Sequence, residues 1–146
     1  MNKHEQVAAD CLAIRNKIDG NNDCSVFALS VATKMSYLDA YYILAHYGRR
    51  KNCGMRHFAA TLLTINLPNI KFSLINGLKK YNIHSGKYNY TTIESFLKTY
   101  KEGTFIITIK RHAFVIVDGI VYDWCFSDHK ERIYEAIKVT TLAAEI

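Results

Sequence analysis

Residues 112–124 read HAFVIVDGIVYDW, two runs of β-branched and aromatic residues joined by Asp118-Gly119. This dipeptide is a strong signal for a β-hairpin with a two-residue turn. Counting outward from such a turn places Phe114 opposite Asp123. His112 and Asp123 then share one face as diagonal neighbours about 7–8 Å apart, within reach of their side chains. The prediction depends on the turn length, because a one-residue change would move Asp123 to the other face.

Further strand patterns flank this hairpin, and helical patterns precede it. TFIITIK at 104–110 favours a strand; RIYEAIKV at 132–139 favours one too, although its alternation also allows a helix. Upstream, apolar spacing and capping residues predict helices over about 4–18, 24–33, 37–47, 56–65 and 91–100. The stretch 68–90 favours no single assignment. Helices followed by an antiparallel sheet predict an α+β fold, with residues 1–146 forming a single domain.

Composition limits the class of protein. The chain has 146 residues, of which 49% are hydrophobic and 22% charged, as in globular domains. Its apolar runs are shorter than the roughly 18 residues that span a bilayer, and charges interrupt its first 20 residues. We therefore expect a cytoplasmic protein without a membrane partner, whose four cysteines are reduced thiols. Nothing in the sequence calls for a cofactor.

The net charge of +6 favours an anionic partner. The cations are scattered along the chain, and the ten tyrosines do not interleave with them as in a stacking platform, which disfavours nucleic acid. Arg49 and Arg50 in the glycine-bounded loop GRRKNCG could bind an acidic segment or a carboxylate, as could Arg111 beside His112. The ordinary alternative for the loop is a solvated helix end, where cations are favourable.

Cys24 stands where a polar turn meets the apolar run of a predicted helix. A thiol there faces unpaired N–H groups and the positive end of the helix dipole, which suits a nucleophile. The carboxylate of Asp23 opposes this unless it is occupied as the helix cap. His112 is a polar residue that opens a buried strand, which is costly unless it has a partner. The alternatives are a buried core thiol, a core histidine bonded to a carbonyl and, for Asp123, a strand-end cap.

The DC pair opening a buried helix and the HAFVIVDGIVYDW hairpin together resemble cysteine peptidases of the papain-like fold, in particular small C39-like, phage-encoded relatives. The resemblance covers both ends of the chain and little of its middle. It implies a papain-like α+β fold with Cys24 as nucleophile, His112 as general base and acid, and Asp123 as the orienting group. It also implies amide-bond chemistry on a peptide or protein substrate, in the cytoplasm of a bacterial host.

One position departs from the pattern of these peptidases. They usually carry an oxyanion-hole glutamine about six residues before the cysteine, and Ile18 stands there. Asn21 or Asn22 would have to replace it, with the Cys24 N–H as the other donor. Because of this departure, an alternative function remains: a catalytically weak or inactive papain-like protein that binds and masks a host or defence protein. A basic nucleic-acid-binding module is a third reading.

Two Cys-x3-His pairs raise the possibility of a metal. Cys53 and His57 form one pair, and Cys125 and His129 form the other. Four such ligands could hold zinc tetrahedrally, but the spacing differs from the common zinc motifs and each residue has an ordinary explanation. We therefore expect no metal site.

Overall fold

The computed structural model describes residues 2–18 (backbone alone for 16–18), 22–51, 53–123 and 127–142. It confirms the α+β class. The helices are α1 Lys3–Ile18, α2 Cys24–Thr33, α3 Tyr37–His46, α4 Phe58–Thr64 and α5 Ile93–Thr99. The strands are β1 Ile70–Leu74, β2 Lys79–Asn82, β3 Lys87–Tyr90, β4 Thr104–Ile109, β5 His112–Val117, β6 Ile120–Tyr122 and β7 Glu135–Thr141. The stretch 68–90 thus contains three strands.

Within the described residues, the main sheet has five antiparallel strands in the order β1-β7-β4-β5-β6, and β2 and β3 form a separate ribbon. The predicted hairpin is β5–β6. Val117 lies opposite Ile120, which confirms the two-residue turn. Asp118 and Gly119 have φ angles of 48° and 80°, as the twist of a tight hairpin requires. The Asp118 carboxylate accepts a 2.8 Å hydrogen bond from the Gly103 N–H and ties this turn to the start of β4.

The core lies on both faces of the sheet. Ile106 packs in a cluster with residues of α1 to α4, among them Phe27 of α2. Its neighbours Phe105 and Ile107 face the other way and pack with Phe96 of α5. Because both faces are covered, β4 and β5 are almost continuously apolar instead of alternating. None of the helices in the described ranges is long and apolar enough to cross a membrane.

Local capping sets several helix starts. The Ser36 hydroxyl accepts a 3.1 Å hydrogen bond from the Asp39 N–H, so α3 begins at the next residue, as its sequence predicts. The Thr92 hydroxyl accepts from the Ser95 N–H in the same way and opens α5. The helix α2 is buried along most of its length and packs against β5. This packing brings the first residue of α2 beside the first residue of β5.

Candidate active site

A cavity of about 540 Å³ lies where α2 and β5 begin. Cys24, the first residue of α2, and His112, the first residue of β5, both line it. Cys24 is half-buried, so its thiol is shielded but reachable from the cavity. Two residues 88 positions apart in sequence are therefore placed together by the packing of a helix start on a strand start.

His112 is held by a carboxylate. Its Nε2 lies 2.7 Å from Oδ1 of Asp123, which follows directly after β6. The side chains are 14% and 6% exposed, so water competes little for this hydrogen bond. The diagonal neighbours expected from the hairpin register are thus in hydrogen-bond contact.

Ser127 also contacts the Asp123 carboxylate, and sequence reasoning missed it. Its hydroxyl donates a 2.7 Å hydrogen bond to Oδ2 of Asp123. With one oxygen bound by His112 and the other by Ser127, the Asp123 carboxylate is held at both ends. The sequence carried only a weak signal, a hydroxyl four residues beyond the aspartate.

The protonation of His112 reflects its surroundings. Burial by itself would lower the pKa of His112, but the hydrogen bonds and electrostatic interactions with Asp123 and Cys24 outweigh it. They raise the pKa of His112 from 6.5 to about 9. The ring is therefore an imidazolium at neutral pH, placed between a carboxylate and a thiol.

Asp23, beside Cys24, is neutralised by partners of its own. It is fully buried, and Arg15 Nη2 lies 2.7 Å from its Oδ1. The Tyr37 hydroxyl donates a 2.8 Å hydrogen bond to its Oδ2. Within the described residues, Asp23 makes no side-chain capping bond to α2; its carbonyl accepts from the Phe27 N–H instead. Its charge is thus satisfied by α1 and α3, which limits its opposition to a thiolate at Cys24.

The residues considered for the oxyanion hole lie before α2. Asn22 lines the cavity, and its φ of 58° is unusual for a residue other than glycine. The Arg49 guanidinium donates a 3.0 Å hydrogen bond to the Asn22 carbonyl, which holds this backbone. Ile18 is the last residue of α1. Asn21, the other candidate, lies outside the described residues.

The three arginines expected to bind substrate are placed differently. Arg111 lines the cavity beside His112 and is exposed, with a φ of 59° in the turn between β4 and β5. Arg49 is buried; its guanidinium contacts the Asn22 carbonyl and lies 5.7 Å from the ring centroid of Tyr41. Arg50 is exposed and stands apart from the cavity wall. Arg49 therefore supports the loop that leads to Cys24.

The far wall of the cavity comes from residues that sequence reasoning did not select. Arg56 lines it from the turn before α4, and Tyr134 and Glu135 line it from the start of β7. The Thr108 hydroxyl lies 3.1 Å from a Glu135 carboxylate oxygen and restrains it. The wall therefore offers a second cation, an aromatic ring and one acid.

The described residues do not form the zinc site considered from the two Cys-x3-His pairs. Among them, no group of three or more histidine, cysteine or acidic side chains is arranged to hold a metal ion. Cys53 and His57 are both exposed. Cys125, which would have to join them with His129, lies outside the described residues.

No protein-family model, curated protein or solved structure matches this chain. The resemblance to papain-like peptidases therefore rests on the sequence motifs alone.

Ser127→Ala is expected to loosen the Asp123 carboxylate. Loss of a hydrogen bond to a charged, buried group should lower the free energy of unfolding by about 1.5–3 kcal/mol. It should also slow alkylation of Cys24, because His112 is less firmly oriented. Denaturant unfolding and alkylation rates measure the two effects, and Ser127→Thr, which keeps the hydroxyl, is the control. Equal behaviour of both variants would contradict this role.

Proposed function

We propose that this protein is a cysteine-dependent amide-bond hydrolase of peptidase or isopeptidase type, with a papain-like arrangement of Cys24, His112 and Asp123. The observation that carries the proposal is the 2.7 Å hydrogen bond from His112 to Asp123 at a cavity that also contains the thiol of Cys24. A nucleophile, a base and a group that orients the base are the minimum for covalent acyl transfer.

The first half of the reaction would form a thioester. The Cys24 thiolate attacks the carbonyl carbon of the bound amide and forms a tetrahedral intermediate. Because Nε2 of His112 is held by Asp123, the proton for the departing amine comes from Nδ1. The C–N bond then breaks, the amine leaves protonated and the acyl group remains on Sγ. The raised pKa of His112 supports this acid role at neutral pH.

The second half would release the acyl group. His112, now neutral, takes a proton from water as the oxygen attacks the thioester carbon. The C–S bond breaks, the acid product leaves and the proton returns to the thiolate–imidazole pair. An amine in place of water would give transfer instead of hydrolysis.

The negative oxygen formed in each half needs donors. The N–H groups of the first turn of α2, including that of Cys24, form the positive end of a ten-residue helix. Asn22 is the described residue whose amide could provide the second donor, since it lines the same cavity. It would do the work of the glutamine that Ile18 replaces.

The substrate class follows from the charges at the cavity and from the resemblance. Arg111 and Arg56 on the cavity wall favour a peptide or protein substrate with an acidic group near the reacting amide. The resemblance to phage-encoded peptidases points to a protein of the bacterial host as that substrate. The candidate reaction needs no cofactor.

Selective alkylation tests the nucleophile. With a limiting amount of iodoacetamide at pH 7, Cys24 is expected to react at least about tenfold faster than Cys53, because a histidine beside a thiol activates it as a nucleophile. Cys53 is the control for exposure. Cys11 should react slowest, since burial raises the pKa of its thiol. Peptide mass spectrometry follows each site.

The labelling rates distinguish a hydrolase from a protein that only binds a partner. Equal, slow labelling of Cys24 and Cys53 would overturn the hydrolase. Fast labelling should be followed by cleavage of at least one fluorogenic amide in a panel with acidic, basic and apolar residues before the scissile bond. Cys24→Ser should abolish that cleavage. Fast labelling without cleavage of any amide would favour the alternative, a papain-like protein that masks a partner.

A further inference from the structure

One long part of the chain carries basic residues and no acidic ones. Residues 40–93 contain eight lysines and arginines and no aspartate or glutamate. Three of these cations, Lys79, Lys80 and Lys87, belong to the β2–β3 ribbon, and all three are exposed. A polyanion could therefore approach the ribbon without meeting a carboxylate from its own strands.

The register of the ribbon separates two kinds of face. Lys79 lies opposite Tyr90, and Tyr81 lies opposite Tyr88. Directly opposed residues and residues two apart share a face, so these four side chains occupy one side of the ribbon. The other side carries the remaining lysines with Asn82 and Asn89. One face thus carries three tyrosines and Lys79, and the other carries two lysines and two asparagines.

The aromatic face is open to solvent and its groups touch one another. Tyr81 and Tyr88 are 56% and 51% exposed, with ring centroids 5.1 Å apart. Lys79 Nζ lies 4.2 Å from the ring centroid of Tyr88 and 5.5 Å from that of Tyr90. The tyrosines and cations that are scattered in sequence are therefore interleaved in space.

The aromatic face continues onto the body of the protein. The ring of Tyr134 lies 6.1 Å from that of Tyr90, and the Arg132 guanidinium lies 5.6 Å from the Tyr90 centroid. Tyr134 is 47% exposed and also lines the cavity that contains Cys24. Tyr90, Arg132 and Tyr134 thus connect the ribbon to the edge of that cavity, where Glu135 adds a carboxylate.

We propose that the aromatic face of the β2–β3 ribbon binds single-stranded nucleic acid. Exposed tyrosines provide stacking surfaces for unpaired bases, and Lys79 and Arg132, which lie beside these rings, are placed to contact phosphates. A duplex keeps its bases stacked on one another and would use the charges alone. An acidic polypeptide would likewise leave the rings without a role. The proposal is independent of the chemistry at Cys24.

Fluorescence anisotropy with labelled 20-nucleotide oligo(dT) and oligo(U) tests the proposal, and the pair distinguishes DNA from RNA. Tyr81→Ala/Tyr88→Ala is expected to weaken binding at least about tenfold, from the loss of base stacking. Lys79→Gln should reduce the slope of log affinity against log salt by about 0.7. Tyr42→Ala, at a 65% exposed tyrosine on α3, is the matched control and should bind as the unchanged protein does.

Each remaining outcome counts for or against the proposal. Cys24→Ser should bind with unchanged affinity, and a 20-base-pair duplex should bind more weakly than either single strand. No binding at low salt would overturn the proposal. So would equal affinity for the duplex, displacement by poly-glutamate as efficient as by an unlabelled single strand, or equal effects of the ribbon and Tyr42 variants. Thermal unfolding should show that the double variant remains folded, because both rings that it removes are more than half exposed.

Discussion

His112→Asn is expected to slow alkylation of Cys24 at pH 7 by about thirtyfold. Free cysteine is only a few per cent thiolate at that pH, and a neighbouring histidine is a usual means of activating a cysteine nucleophile. Amide cleavage should fall further, by about a hundredfold or more, because the proton donor for the leaving amine is lost. Alkylation rates at Cys24 and turnover of any cleaved amide measure the two effects.

The pH dependence of the same reaction provides a second measurement. The pKa of His112 is raised to about 9, so its acid form is present below that pH and is lost as the pH rises through it. Cleavage is therefore expected to decline above about pH 9. The charge of Asp123 and its hydrogen bond both raise the pKa of His112, and Asp123→Asn removes the first and alters the second. The loss of cleavage activity should therefore begin at lower pH, toward 6.5.

The control for His112→Asn and Asp123→Asn is His84→Asn, which changes an exposed histidine in the turn between β2 and β3. It should leave both the rate and the pH profile unchanged. If His112→Asn and His84→Asn alkylate at the same rate, His112 does not act on Cys24. A decline at the same pH in Asp123→Asn would likewise show that Asp123 does not hold the imidazolium.

Arg15→Met is expected to lower the free energy of unfolding by about 3–5 kcal/mol. It leaves the Asp23 carboxylate, which is fully buried, without the cation 2.7 Å away, and an uncompensated buried charge is costly. Chemical denaturation at pH 7 measures the loss. Because Asp23 directly precedes Cys24, selective alkylation of Cys24 should weaken as well.

Two further variants test whether the loss of stability comes from the unpaired Asp23 carboxylate. Lys3→Met removes an exposed cation from the same helix and should change the free energy of unfolding by less than about 0.5 kcal/mol. The double variant Arg15→Met/Asp23→Asn should be more stable than Arg15→Met alone, because no unpaired charge remains. An Arg15→Met variant as stable as Lys3→Met would show that the ion pair contributes little.

Much of the site could be predicted because its signals are local. The Asp118-Gly119 turn determines which residues of β5 and β6 face one another, and the hairpin register follows from it. The contact between His112 and Asp123 could therefore be derived from turn length and strand periodicity. The start of α2 at Cys24 was also visible, as a change from polar to apolar residues.

Other features could not be read in this way because distant segments create them. Asp23 is neutralised by Arg15 from α1 and Tyr37 from α3, and only the packing of three helices brings these groups together. The ribbon was missed for another reason. KKYN and KYNY have little hydrophobic alternation because both faces of β2–β3 are largely exposed, so the usual strand signal is weak.

The sequence by itself determined the α+β class, the helix that Cys24 opens and the hairpin that aligns His112 with Asp123. These follow from periodicity, capping and turn chemistry, which act over a few residues. Only the tertiary structure decided that α2 packs on β5, so that the thiol and the imidazole line one cavity. The physical reason is that this approach depends on burying α2 and both faces of the sheet, a property of the whole core rather than of any segment.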